Sequence, residues 1–210
     1  MSVVAFAARR PVVSRVAASL PVAALWVLFA AANLATWRTT HRPVGLGATV
    51  LELTIAVLFV LRRPAWTTSR SVVAWGATVI GTFGMLAARP AYDPVLGLGS
   101  LYLALQLCGA AVALAAALTL GRSFGLVAAN RGVCTGGPYA VVRHPIYSGY
   151  LLAGIGYVLE NPSLQNCALF VAVVGFQAVR IVTEEQCLSA DPVYRRYRER
   201  VTRRVVPFVL

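Results

Sequence analysis

The sequence predicts an all-α fold: a polytopic membrane helical bundle of four spans followed by a C-terminal helical hairpin, with a cofactor pocket at the cytoplasmic face. Three observations predict it. The chain of 210 residues is 59% hydrophobic and only 12% charged, about half the charge of an average soluble domain. Apolar runs near the length of a membrane crossing recur along it. Between them fall short segments rich in Arg, Pro and Gly, which read as loops. At this length one integrated domain is expected, with residues 1–120 supplying N-terminal spans and residues 121–210 carrying the densest polar motifs.

The elements follow in order. Arg9, Arg10 and Arg15 precede a first span from about Val16 to Trp37. No small-residue cleavage pattern follows a short apolar core, so this span is expected to be retained rather than removed as a signal. Trp37 and Arg38 make an interfacial ending. Thr39 to Gly47 reads as a loop and about Ala48 to Leu61 as the second span, which is short unless Val44 to Gly47 extends it, and which Arg62 and Arg63 stop. Glu52 lies inside this span. An ionisable group at that depth either lines a site or has a local polar partner.

The third span is expected from about Val72 to Ala88. Gly76, Gly81 and Gly84 there allow close helix approach. Ala91 to Ser100, with Asp93-Pro94, reads as a loop, and Leu101 to Leu120 as the fourth span. Gln106 in that span bonds either across helices or to a ligand. Tyr147 to Leu159 and Leu164 to Val182 form the hairpin around Glu160-Asn161-Pro162. The first of these runs is long enough only if Pro145 starts its helix, a position where the missing proline N–H costs nothing.

All 19 basic residues are Arg, and the formal net charge is +12. The arginines concentrate in alternate loops and at both ends, with six between Arg195 and Arg204. By the positive-inside rule both termini are cytoplasmic in a multi-pass protein of the cell membrane, and the basic tail meets anionic lipid headgroups. No basic module stands apart from the spans, so nucleic acid is not an expected partner. Cys108, Cys134, Cys167 and Cys187 form no Cys-x-x-Cys pair and no cluster with His41 or His144, so reduced thiols and no metal are expected.

The densest run of polar, aromatic and turn-forming residues is Gly137 to Leu152. Gly137-Pro138 marks a turn, and His144 before Pro145 is biased away from helix. The run reads as a loop that ends by starting a membrane helix, whose unpaired N–H groups suit an anionic group. Arg180 and Glu184, four apart, share a helical face on the same side. A carboxylate such as Glu184 suits a cationic or hydroxyl-bearing ligand group. Tyr139 and Tyr147 offer aromatic faces that attract a cation or stack on a flat ring.

Gly137-Pro138-Tyr139, Arg143-His144-Pro145-Ile146-Tyr147-Ser148-Gly149, Glu184-Glu185 and Tyr194-Arg195-Arg196-Tyr197 before Val206-Pro207 resemble the isoprenylcysteine carboxyl methyltransferase family. The resemblance covers roughly the last two fifths of the chain. It implies an integral membrane enzyme that transfers a methyl group from S-adenosyl-L-methionine, leaving S-adenosyl-L-homocysteine. It implies cofactor contacts at Arg131, Gly132, Val133, Cys134, Tyr139, His144, Pro145, Ile146, Tyr147 and Glu184, and a substrate contact at Arg180. Gly132 and Cys134 depart from the bulkier apolar residues common there.

Arg180, His144 and Arg143 are the catalytic candidates, and Arg180, Glu185, Tyr194 and Tyr197 the substrate-binding ones. Tyr194 and Tyr197 either close the site or anchor at the interface. A carboxylate acceptor is already ionised and needs no base, whereas an amine acceptor needs one, for which His144 or Glu185 is placed. The expected acceptor is a lipophilic carboxylate, isoprenylcysteine-type or a small lipidic acid. The alternatives are a phospholipid or amine N-methyltransferase and a sterol-type reductase using NADPH, which share parts of the motif. A transporter is disfavoured because no repeated halves are found.

Overall fold

The computed structural model describes residues 4–6, 12–69, 71–90 and 97–206; Arg9, Arg10, Arg70 and the Asp93-Pro94 turn lie outside them. The fold is mainly helical, as the sequence predicts. Four helices are long and apolar enough to cross a membrane: α1 (Val12–Thr40), α2 (Pro43–Leu61), α4 (Gly99–Leu120) and α6 (Leu164–Leu188). Two apolar helices are shorter. α3 (Val72–Phe83) ends in a 3-10 turn, Gly84–Ala87, and α5 (Pro145–Glu160) has 16 residues. At 1.5 Å per residue α5 extends about 24 Å, less than the hydrocarbon thickness of about 30 Å. A short polar helix, α7 (Pro192–Arg200), follows.

Several boundaries differ from the sequence reading. α1 begins at Val12, which places Pro21 inside the helix rather than in its first turns. The expected Thr39–Gly47 loop shrinks to two residues, because Pro43 takes the first helical position of α2. His41 makes the reversal with a φ of 53°. The basic loops carry a small antiparallel sheet in the order β1 (Val4–Phe6), β2 (Thr67–Ser69), β3 (Ala129–Asn130). Thr67 pairs with both Phe6 and Asn130, so the α2–α3 loop is tied to the α4–α5 loop.

The helices form two groups. α1, α2, α4 and α5 pack in series, and α6 packs chiefly on α3. The hairpin turn at Asn161 joins α5 to α6, yet the two legs pack mainly on different partners. The α4–α5 crossing is a backbone contact. A Cβ on Gly149 would lie 2.5 Å from the Gly109 carbonyl oxygen, and one on Gly109 would lie 2.5 Å from Ala153 N. Gly81 and Gly84 allow close approach as expected, the partner being α6, whereas a Cβ on Gly76 would meet nothing among the described residues.

Polar side chains close the end of the bundle away from the basic loops. Asn166, fully buried, accepts from Arg89 N at 3.0 Å and donates to the carbonyls of Arg89 and Asn161. Gln106 bonds across helices, donating to Glu160 at 2.9 Å, and Arg42 pairs with the same carboxylate. Ser163 caps α6 and Asp191 caps α7, each accepting a first-turn N–H as residues of this kind do at helix starts.

Candidate active site

The site lies at the basic end, where three elements meet: the Phe124–His144 loop with the start of α5, the last turns of α6, and the tail beyond α7. The loop follows a route its sequence dictates. Asn130 Oδ1 accepts from Gly132 N at 2.9 Å, and Gly132 adopts a φ of 107° that side chains disfavour. The departure to Gly at 132 therefore fits the backbone path. Gly137-Pro138 opens a 3-10 turn that buries Tyr139, and Pro145 then starts α5.

Two carboxylates at the end of α6 organise the side chains. Glu185 receives Arg143 Nε at 2.9 Å, His144 Nε2 at 3.2 Å and Arg204 Nε at 3.4 Å. Arg143 Nη1 donates to the carbonyls of Val201 and Thr202, both at 2.8 Å. The tail returns along the loop, with the N–H groups of Arg143 and His144 donating to Arg203 and Arg204. Glu184 points the other way. It accepts from the Tyr147 hydroxyl, with His144 Nδ1 at 3.7 Å and Arg180 Nη2 at 3.9 Å. Arg180 also donates to Thr82 Oγ1 at 2.9 Å and to the Leu126 carbonyl at 3.0 Å, and its guanidinium carbon lies 5.2 Å from the Tyr147 ring centre.

A cavity of about 130 Å³ opens among these groups. Of the residues named from sequence, Arg131, Gly132, Val133, Cys134, Tyr139, Arg143, His144, Ile146, Tyr147, Arg180, Glu184, Tyr194 and Tyr197 line it. Two do not. Pro145 starts the helix without facing the cavity, and Glu185 is turned into the Arg143–His144–Arg204 cluster. The structure does not bring Glu185 to the cavity with the other candidates: its carboxylate is engaged by two guanidinium groups and an imidazole, and so supports the loop. Tyr194 and Tyr197 are 3% and 2% exposed, which overturns the interfacial-anchor alternative. Tyr197 donates to the Tyr139 carbonyl at 2.7 Å and so ties α7 to the cavity wall.

Electrostatics in this cavity suit a zwitterion. Burial, and then the nearby Arg62, bring the Arg131 guanidinium down to about 10, against the opposing pull of Glu184. Burial first, then Glu184, pushes the Tyr139 phenol well above its ordinary range, so it stays a neutral donor. Among the described residues, Arg131 Nε and Arg180 Nε have no hydrogen-bond partner and are buried. Cationic donors beside the Glu184 carboxylate fit a ligand that carries both a carboxylate and an ammonium.

A second cavity, of about 370 Å³, lies between the two helix groups. Its walls include Leu51 and Ile55 of α2, Gly81 of α3, Ala153 of α5 and Val173 of α6. Trp26, Thr82 and Tyr150 line both cavities. The sequence reading did not single out these three. Trp26 and Thr82 sit in spans where every neighbour is equally apolar, and Tyr150 adjoins the motif without belonging to its charged core.

The phospholipid methyltransferase family model matches residues 96–194, a stretch that contains the whole loop and the end of α6. Among solved structures, the eukaryotic intramembrane Ras methyltransferase ICMT, isoprenylcysteine carboxyl methyltransferase, shares the fold. The likeness covers 89% of this chain and 74% of that one, with a TM-score of 0.51 and 21% sequence identity. No curated protein matches in sequence. Four helices long and apolar enough to cross a membrane make the chain a multi-pass membrane protein; it shares the fold of that intramembrane methyltransferase and is similar over residues 96–194 to the phospholipid methyltransferase family.

Proposed function

We propose that this protein transfers the methyl group of S-adenosyl-L-methionine to the carboxylate of a lipophilic acceptor, an isoprenylcysteine-type or small lipidic acid. The observation that carries the reading is the pair of abutting cavities, the smaller one set with Arg131, Arg180 and Glu184 and the larger one walled mainly by aliphatic side chains, with Trp26, Thr82 and Tyr150 in the walls of both. The smaller, charged one would hold the donor and the larger one the acceptor. Residues 1–120 supply Trp26, Leu51, Glu52 and Thr82 to the acceptor side, which α5 and α6 complete, and residues 121–210 supply most of the donor side. The concentration of arginines at the donor end supports a cytoplasmic orientation of that end in the cell membrane.

S-adenosyl-L-methionine supplies a methyl group on a positively charged sulfur. In this reading Glu184 receives its ammonium, while Arg131 meets its carboxylate. Tyr139 and Tyr147 offer faces to its adenosine and cationic parts. Arg180, fixed by Thr82 and Leu126, presents its planar fork to the acceptor carboxylate. An ionised carboxylate needs alignment and partial loss of water, so positioning is the main effect demanded of these side chains.

The family match favours a second reading, N-methylation of a phospholipid amine. That acceptor would have to lose a proton, and His144, flanked by Glu184 and Glu185, is the base within reach. Methyl transfer from labelled cofactor to membrane lipid extracts tests both. A base-labile labelled ester supports the first reading and a base-stable labelled amine the second; absence of any labelled lipid overturns both.

Glu184→Ala should weaken S-adenosylhomocysteine binding at least tenfold by calorimetry, since it removes the anionic group in the donor cavity; unchanged affinity would refute its role. Arg180→Leu should leave that affinity within a few-fold and lower turnover roughly a hundredfold, the size expected when an acceptor is misplaced. Loss of donor binding instead would reassign Arg180.

A further inference from the structure

The larger cavity is not uniformly apolar. Glu52 of α2 lines it, near the middle of a span, where an ionisable group is costly. Its two carboxylate oxygens accept from Asn33 Nδ2 at 3.1 and 3.0 Å. One amide nitrogen is a partial answer to a carboxylate with about four lone-pair positions. No ion pair to Glu52 occurs among the described residues. Gln106 and Gln177 line the same cavity, and each spends its amide nitrogen on another group, Glu160 and the Gly81 carbonyl respectively. Tyr150 stands within electrostatic reach of both Glu52 and Arg180. An acceptor running from Arg180 past Tyr150 therefore meets oxygen acceptors partway along its body. An uninterrupted hydrocarbon chain would leave them facing carbon.

We infer that Glu52 is the centre of a specificity subsite for an acceptor whose apolar body carries a hydrogen-bond donor, a hydroxyl or an amine, remote from its reacting end. This rests on the proposed acceptor role of the larger cavity and adds to it the class of acceptor. Such a group, bonded to a half-buried carboxylate, gains what a plain chain cannot. Asn33 then acts as the positioning residue that holds the carboxylate towards the cavity.

The test uses the full-length protein in detergent with stearate, its mid-chain hydroxy analogue and its mid-chain amino analogue. Two readouts are taken: displacement of a fluorescent long-chain carboxylate, and methyl transfer from labelled cofactor. Wild type should bind at least one donor-bearing analogue about tenfold more tightly than stearate; the two analogues distinguish hydroxyl from amine. Glu52→Leu should abolish that preference, while S-adenosylhomocysteine affinity stays at the wild-type value. Equal binding of all three chains by wild type, or a preference that survives Glu52→Leu, would overturn the subsite. So would loss of S-adenosylhomocysteine binding in Glu52→Gln, which would assign the carboxylate to the fold. A displacement preference without any methylated product would support the subsite and refute methyl transfer to these acceptors, so the two ideas fail separately.

Discussion

Glu185→Ala should destroy the donor site without touching a residue that lines it. The Arg143 and Glu185 side chains are 5% and 8% exposed, and the pair is 2.9 Å apart. Removing the carboxylate leaves a buried guanidinium whose remaining partners are the carbonyls of Val201 and Thr202. Breaking a buried pair from one side costs about 3–5 kcal/mol, because the stranded charge keeps its desolvation penalty. The loss falls on one place. Arg143, His144 and the returning tail are held together by Glu185, and His144 and Tyr147 of the same run line the donor cavity. Glu185→Ala should therefore lower the melting temperature clearly and make S-adenosylhomocysteine binding undetectable by calorimetry. Replacing both partners, as Arg143→Met with Glu185→Leu, should recover much of the stability and none of the binding. Wild-type melting and affinity in Glu185→Ala would show that the cluster is dispensable.

This support role is where the sequence stopped being legible. Glu184 and Glu185 are adjacent, and both carry the same charge at the end of the same helix. The turn of about 100° between successive helical residues sends one to the cavity and the other to the loop. Nothing in the residue types distinguishes them until the returning tail with Arg204 is in place. The motif itself was readable because Gly, Pro, His and Tyr are concentrated there against an apolar background. Tyr147 and Glu184, assigned to one ligand from the sequence, hydrogen-bond directly.

Helix existence was readable from apolar length, and helix boundaries less so. Val44-Gly45-Leu46-Gly47 carries two glycines after a Pro and reads either as loop or as an extension of the second span; it is the first turn of α2. Gly45 is there for contact: a Cβ would lie 2.9 Å from the Asn33 carbonyl oxygen. The strands of two or three residues are too short for an alternating pattern to register. The packing order was not readable at all. In a membrane span, faces towards lipid and towards protein are both apolar, so periodicity does not separate them. Adjacency in sequence suggested that α5 would pack on α6, whereas the small residues shared by α4 and α5 decide the matter.

Those small residues carry the other large expected effect. Gly149→Val should abolish activity and most of the folded protein. The added Cβ alone would sit 2.5 Å from the Gly109 carbonyl oxygen and 2.7 Å from Ala113 N, both backbone atoms that no rotamer change can move. α4 and α5 would have to separate, and α5 would then lift Tyr147 and Tyr150 away from α6. Tyr147 would lose Glu184, and the wall common to both cavities would open. Gly149→Ala introduces the same Cβ without the branches and should be milder, retaining a folded protein whose turnover falls by roughly a hundredfold, the penalty for a small misplacement of reacting groups. Gly76→Ala is the control, since nothing lies near that position and a helical Ala is favoured over Gly. Detergent-solubilised yield, thermal melting and methyl-transfer rate should rank the variants as Gly76→Ala, Gly149→Ala, Gly149→Val. Full activity in Gly149→Val would mean that the α4–α5 contact does not position α5, and with it the argument that couples the two cavities would fall.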